Sequence, residues 1–101
     1  MAISSRQAME PAPDLSAYNT SKAALVALIR TAALENKDAG ITANTILPGT
    51  MNTEANRRAM PEADASQWVR TQDVASLAAF LVSDAGAQIT GAALPIYGLD
   101  I

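Results

Sequence analysis

Asn36-Lys37-Asp38-Ala39-Gly40-Ile41-Thr42-Ala43-Asn44-Thr45-Ile46-Leu47-Pro48-Gly49 is the stretch on which the fold turns. Its first half ends a helix: Gly40 suits the left-handed position that closes helical C-termini. Its second half, Ile41 to Leu47, is short and rich in β-branched residues, the composition of a strand. Pro48-Gly49 then stops that strand. A helix followed within a few residues by a buried strand is one half of a strand-helix-strand unit.

Working outward, the rest of the chain supplies the missing elements. Upstream, Ala17 to Asn36 is rich in alanine and leucine and has no glycine or proline. It predicts a helix roughly 30 Å long at ~1.5 Å per residue, with Ser16 as N-cap. Before it, Arg6 to Leu15 carries Pro11, Pro13 and Asp14 and reads as loop. Ala2-Ile3-Ser4-Ser5 reads as the end of a buried strand. Downstream, Thr53 to Met60 predicts a short helix and Pro61 to Trp68 a loop. Thr71 is placed as the cap of a helix over Gln72 to Ser83, with Asp73 near its positive end. Val74, Leu77, Ala78, Leu81 and Val82 follow helical spacing there. Ala92 to Tyr97 closes as a strand, and Pro95 places it at an edge. The order strand, helix, strand, helix, strand implies an α/β fold, a partial Rossmann-like parallel sheet of three strands with right-handed crossover helices.

The bulk numbers bound the function. The chain has 101 residues, half of them hydrophobic, which is enough for one domain with a modest core. It contains no cysteine and no histidine. That removes disulfides, thiol and histidine catalysis and most zinc or haem sites, and it fits a reducing, cytoplasmic setting. The net charge is −3, and Arg57-Arg58, the one basic pair, is flanked by Glu54 and Glu62, so no nucleic-acid surface is expected. No run approaches the ~18 apolar residues that span a bilayer, and no signal peptide is expected at the N-terminus.

The chemistry-bearing residues lie around the long helix. Tyr18 and Lys22 are four residues apart, hence neighbours on one helical face, and Ser5 precedes Tyr18 by thirteen residues. A free tyrosine titrates near ~10, too high for neutral acid/base work. A cation held beside it favours the phenolate. Ser5 adds a hydroxyl donor for a substrate oxygen. The three read as a proton-transfer site for carbonyl/alcohol chemistry. The plainer reading is a capped, partly exposed helix start, since a lone Tyr-x-x-x-Lys is a weak motif.

Four motifs in register tip that balance. Ile3-Ser4-Ser5, Ala17-Tyr18-Asn19-Thr20-Ser21-Lys22-Ala23-Ala24, Asn44-Thr45-Ile46-Leu47-Pro48-Gly49 and Ile89-Thr90-Gly91 together resemble the C-terminal half of short-chain dehydrogenases/reductases. The segment from Asn52 to Trp68, with Met60-Pro61-Glu62-Ala63-Asp64-Ala65-Ser66-Gln67-Trp68, is similar to quinoid dihydropteridine reductase-like members. The resemblance implies Tyr18 as general acid/base and Lys22 as a holder of the nicotinamide ribose. It implies Ser5 as the residue that polarises the substrate carbonyl. After Pro48-Gly49, the Met51 backbone and the Thr53 hydroxyl match positions that hold the nicotinamide carboxamide of NADP or NAD. Residues between Met51 and Trp68 would form a mobile substrate-side lid. The family's glycine-rich turn, its adenine-ribose selector, its Asn-Ala-Gly strand motif and its upstream catalytic asparagine do not occur in this sequence. The chain is therefore expected to be the catalytic half of a nicotinamide-dependent oxidoreductase, with an N-terminal half missing and inactive alone.

Several residues keep a structural alternative. Thr53 is also a good N-cap. Trp68 reads as a packing anchor, and Arg57-Arg58 as solvated helix surface. The long helix carries one apolar stripe at Ala24, Leu25, Leu28, Ile29 and Ala32, and Ala23, Val26, Ala27 and Ala33 extend it. A helix apolar nearly all round is buried on more than one side. A homo-oligomer through Ala17 to Asn36 is expected. The alternative to the catalytic reading follows from this: a non-catalytic oligomeric α/β remnant acting through self-association.

Overall fold

In a computed structural model, which describes residues 1–101, the chain folds as three parallel strands with helices between them. Strand β1 is Ala2–Ile3, helix α1 Ser16–Asn36, strand β2 Thr45–Pro48, helix α2 Glu54–Ala59, helix α3 Thr71–Leu81 and strand β3 Ala93–Ile96. The sheet order is β1-β2-β3, with Ala2 opposite Thr45 and Ile46 opposite Leu94. The partial Rossmann-like α/β arrangement stands as expected.

The boundaries differ for identifiable reasons. Ser16 is the first helical residue and not the cap; Leu15 holds the cap position and offers no side-chain bond. Asp14, with φ 63°, makes the left-handed turn into the helix, so the chain enters one residue early. Thr71 likewise begins α3 instead of capping it, and the extended residue before it is Arg70. Gly40 does adopt the left-handed conformation, but it closes a 3-10 turn over Lys37–Ala39 that prolongs α1. Strand β2 starts at Thr45 and not Ile41, because the Ala43 N–H goes to the Thr90 hydroxyl and its carbonyl accepts from the Gly91 amide. Pro48 belongs to the strand, opposite Ile96, and Gly49 follows by donating to the Ile96 carbonyl. Strand β1 ends at Ile3, since Ser5 is the cap of a 3-10 turn over Arg6–Ala8.

The core sits between β2 and α3. Ile46, Val69, Val74 and Leu81 form it, with Met51, Leu77, Ala78, Leu94 and Ile96 packed around. Trp68 is buried outside that cluster, in keeping with the packing role expected of it. Val82 departs from the expected stripe: the helix ends at Leu81, and Val82 faces solvent. Helix α1 departs more. It turns Leu25, Val26, Ile29, Ala32 and Ala33 inward, and Ala33 alone is fully buried. Ala24 and Leu28, from the same apolar stripe, lie on the outer face near Ala27 and Leu34.

The accessible surface is 6461 Å² for a 10.5 kDa chain. A self-contained monomer of that mass exposes roughly 5,400 Å². The excess of about 1,000 Å² is close to what one partner buries in a stable protein interface. Both sheet edges are free within the chain, because β1 and β3 each pair only with β2.

Candidate active site

The carboxyl ends of parallel strands are where ligands bind in open α/β sheets. Here the loops leaving β1 and β2 meet the first turns of α1 around a cavity of about 600 Å³. Ser5, Tyr18, Pro48, Gly49, Met51 and Thr53 all line it. The structure thus brings together six of the seven residues singled out from sequence. Lys22 stands just behind the lining. Its Nζ lies 5.7 Å from the Tyr18 ring centroid and 3.5 Å from the Ile3 carbonyl, a long contact that leaves the ammonium donors largely unspent.

Local structure places each group. Tyr18 sits in the first turn of α1, about half exposed, with its ring toward the cavity. Ser5 is buried, and its Oγ accepts from the Gln7 N–H at 3.2 Å. That bond uses a lone pair and leaves the hydroxyl proton without an acceptor in the chain. Ser5 is therefore set to donate. The Met51 N–H also finds no acceptor within the chain, while its carbonyl accepts from the Thr53 amide at 2.8 Å and from Asn56 Nδ2 at 2.8 Å. Thr53 caps α2, its Oγ1 accepting from the Asn56 N–H at 3.2 Å. The capping alternative for Thr53 is realised, and its hydroxyl proton stays available.

Gly49 lies in close approach to the chain just past β3. A Cβ there would lie 3.2 Å from the Tyr97 Cα and carbonyl oxygen, so a side chain would ask Tyr97 to give by a few tenths of an ångström.

Positioning residues that sequence reading passed over lie one step behind. Ser4 donates its hydroxyl to the Lys22 carbonyl at 2.8 Å, tying β1 to the turn of α1 that carries Lys22. Gln7 Oε1 accepts from the Ala12 N–H at 2.6 Å, and Asn19 Nδ2 donates to the Ala12 carbonyl at 2.9 Å. The loop between Ser5 and Tyr18 is thereby pinned at its middle. The amide types at 7 and 19 were visible in the sequence, but nothing local showed that they meet at one residue. Asn44 is a similar case away from the site. Its Nδ2 donates to the Ile89 carbonyl at 2.7 Å and its Oδ1 accepts from the Ala92 N–H at 3.1 Å.

Two carboxylates on the far side of the cavity loop are perturbed. A hydrogen bond from the Ser66 hydroxyl holds the Asp64 carboxyl below its ordinary value. The Arg70 guanidinium, donating at 2.7 and 2.9 Å, does the same to Asp73. The four Asp, Glu, Cys and His types form no group of three or more able to hold a metal ion. No helix is long and apolar enough to cross a membrane.

A family model described as enoyl-(acyl carrier protein) reductase matches residues 1–98. The chain is 40% identical to 3beta-hydroxysteroid dehydrogenase 1 of Eggerthella lenta, over 95% of this chain and 41% of that relative. The fold matches that of a blue fluorescent protein from a metagenomic library in complex with NADPH, with a TM-score of 0.84 and 27% identity over 98% of this chain and 44% of that one. It also matches 3-ketoacyl-(acyl-carrier-protein) reductase from Brucella melitensis complexed with NADH, with a TM-score of 0.79 and 28% identity, again over 98% of this chain and 43% of the other. The chain belongs to the short-chain dehydrogenase/reductase family. It spans about two fifths of the length of the relatives it matches.

Proposed function

We propose that these 101 residues act as one unit, the proton-transfer portion of a nicotinamide-dependent carbonyl/alcohol oxidoreductase. The observation that carries this reading is the convergence of Ser5 and Tyr18 on one cavity, with Lys22 behind the tyrosine ring. A bound nicotinamide would supply or accept the hydride. In the reducing direction, negative charge develops on the carbonyl oxygen. Tyr18 gives its hydroxyl proton to that oxygen, while the Ser5 O–H donates a hydrogen bond to it. In the oxidising direction, Tyr18 takes the alcohol proton.

The residues present fit part of the cofactor. The free Met51 N–H and the Thr53 hydroxyl, beside Pro48 and Gly49, suit a carboxamide. The spare donors of Lys22 suit ribose hydroxyls. Both NADP and NAD carry those groups, and structures similar to this one hold NADPH and NADH. No glycine-rich turn for the pyrophosphate occurs among these residues. We therefore read the chain as inactive alone and completed by an N-terminal portion bearing that turn. A cytoplasmic setting belongs to the same reading, from the absence of cysteine.

The test is a titration of the chain with NADPH and NADH, followed by Trp68 fluorescence and calorimetry, then by turnover after mixing with an N-terminal portion. Expected are no saturation at millimolar cofactor for the chain alone, and activity after mixing that Tyr18→Phe abolishes. Micromolar binding by the chain alone overturns its incompleteness. An active mixture indifferent to Tyr18→Phe overturns the catalytic reading.

A second reading has its own support. The excess surface and the exposed Leu28 and Leu34 on the outer face of α1 favour a homo-oligomer through this helix, across a two-fold axis. In that reading the chain serves as a non-catalytic oligomeric α/β unit. Light scattering at micromolar concentration decides it: a dimer or larger is expected, converted to monomer by Leu28→Glu, and a wild-type monomer rejects it.

A further inference from the structure

We propose that Arg6 is a positioning residue that clasps residues 97–100 against the cavity, making that segment the wall that limits the size of alcohol or carbonyl reaching Ser5 and Tyr18. The consequence for substrates rests on the proton-transfer reading of that cavity; the wall itself does not.

Arg6 follows Ser5 directly and lines the same cavity, as does Asp100. Its guanidinium makes three contacts at once. Nε donates to the Glu10 carboxylate at 2.6 Å. The guanidinium carbon lies 4.7 Å from the Tyr97 ring centroid, within cation-π range. Nη1 donates to the Asp100 carbonyl. Glu10 is its main charge partner, and toward the segment Arg6 adds a charge-assisted hydrogen bond at one end and a cation-π contact at the other.

Between those two Arg6 contacts, the middle of the segment is pinned to the loop beyond the cavity. The Leu99 N–H donates to the Gln67 carbonyl at 3.1 Å. Gly98 has φ +69°, and a Cβ there would lie 2.7 Å from the same Gln67 oxygen, so the backbone approaches closely enough that only glycine serves. Residues 97–100 thus span from the loop around Trp68 to the turn carrying Ser5.

Burial holds little of this span. Tyr97 is half-buried, while Leu99 is 74% exposed and Ile101, which follows the span, 90%. Beyond Tyr97 there is no apolar anchor, so the Gln67 bond and the Arg6 clasp decide where the segment lies. Exposed ionic and stacking contacts are individually weak, so the clasp is one that a single substitution opens.

The chain lacks cysteine, so Ser5→Cys places a lone thiol in the cavity. Its alkylation is measured with N-ethylmaleimide and with N-(1-pyrenyl)maleimide, both uncharged, and the ratio of the bulky to the small reagent's rate is taken. Loss of the Arg6 charge alters thiol reactivity toward both reagents, whereas the ratio reports access. With Arg6→Gln the bulky-to-small ratio is expected to rise about tenfold, the effect of losing a charge-assisted hydrogen bond and a stacked cation. Tyr97→Leu, which keeps the charge, is expected to move the ratio the same way by about threefold. It decides the matter alone if Arg6→Gln does not fold. Hydrogen exchange at the Leu99 amide is expected to speed up in both. An unchanged ratio with unchanged Leu99 exchange overturns the proposal. Neither measurement uses cofactor or turnover, so its failure and that of the proton-transfer reading are separate results.

Discussion

The two ends of strand β2 are built on opposite plans. At the amino end, Asn44 is almost wholly enclosed and spends its side chain on the Ile89 carbonyl and the Ala92 amide, while Thr90 takes the Ala43 amide. Polar groups there are paired with backbone, and they fix the register of β3. At the carboxyl end, beyond Pro48, the Ser5 proton, the Met51 N–H and most of the Lys22 donors are left without partners. These groups lie at the cavity, where solvent can reach them, so leaving them unspent costs the fold little. One family motif is therefore spent on the fold, while the other, in the proposed reading, is free for chemistry, although both are short, polar and next to the same strand.

The sharpest way to break that comparison is at the carboxyl end. In an assembly that turns over, Tyr18→Phe should lower the rate by about 10²- to 10⁴-fold. The same change should shift stability by less than about 0.5 kcal/mol, because the side chain is half exposed. Urea unfolding beside the rate assay checks both, and a stability loss that tracks the rate loss would make Tyr18 a packing residue.

Asn44→Ala probes the other end. It strands a buried carbonyl and a buried amide, and it should cost about 2–4 kcal/mol in urea denaturation. A near-neutral result would mean that the amino end is not the structural one.

Ser4→Ala falls between the plans, because Ser4 joins β1 to the Lys22 turn. The expected cost is about 1 kcal/mol, with a further fall in rate once an active assembly is available. A stability change with no change in rate would show that the Ser4 bond does not position Lys22.

The smallest expected effect is on pH. Asp64 and Asp73 have folded-state values below the ordinary 3.8, lowered by Ser66 and Arg70 respectively. Groups depressed on folding contribute stability that is complete above the unfolded value and is lost as pH falls through the lower folded value. Urea midpoints should therefore be insensitive to these two groups near neutrality and should fall below about pH 4. Asp73→Asn should flatten part of that fall, and an unaltered acid slope would remove the Arg70 pair from the account.

How much of this was legible in sequence varies by region. The α/β order could be read because each element carries a local signal: the run without glycine or proline before Asn36, Gly40 at its close, the β-branched residues around Thr45. The candidate proton-transfer residues were legible because Tyr18 and Lys22 share a helical face and Ser5 keeps a fixed spacing. The capping positions at Ser16 and Thr71 were not, since each depends on where the preceding loop delivers the chain. In one case that delivery is set by Asp14 in a left-handed turn, in the other by extended Arg70. Which face of α1 packs on the sheet was not legible, because a helix apolar on two sides carries little information about which side packs.

Taken by itself, the sequence determined the parallel strand-helix-strand order, the candidate proton-transfer residues and the absence of thiol or imidazole chemistry, all of which follow from residue type and short spacing. The tertiary structure alone decided that Gln7 and Asn19 meet at Ala12, that Asn44 is spent on β3, and that Arg6 reaches Tyr97 and Asp100. Those pairings join residues from 5 to 94 positions apart. Local propensity and hydrophobic period act over a turn or a strand. Contacts at longer separation exist only once the sheet has brought its loops to one end.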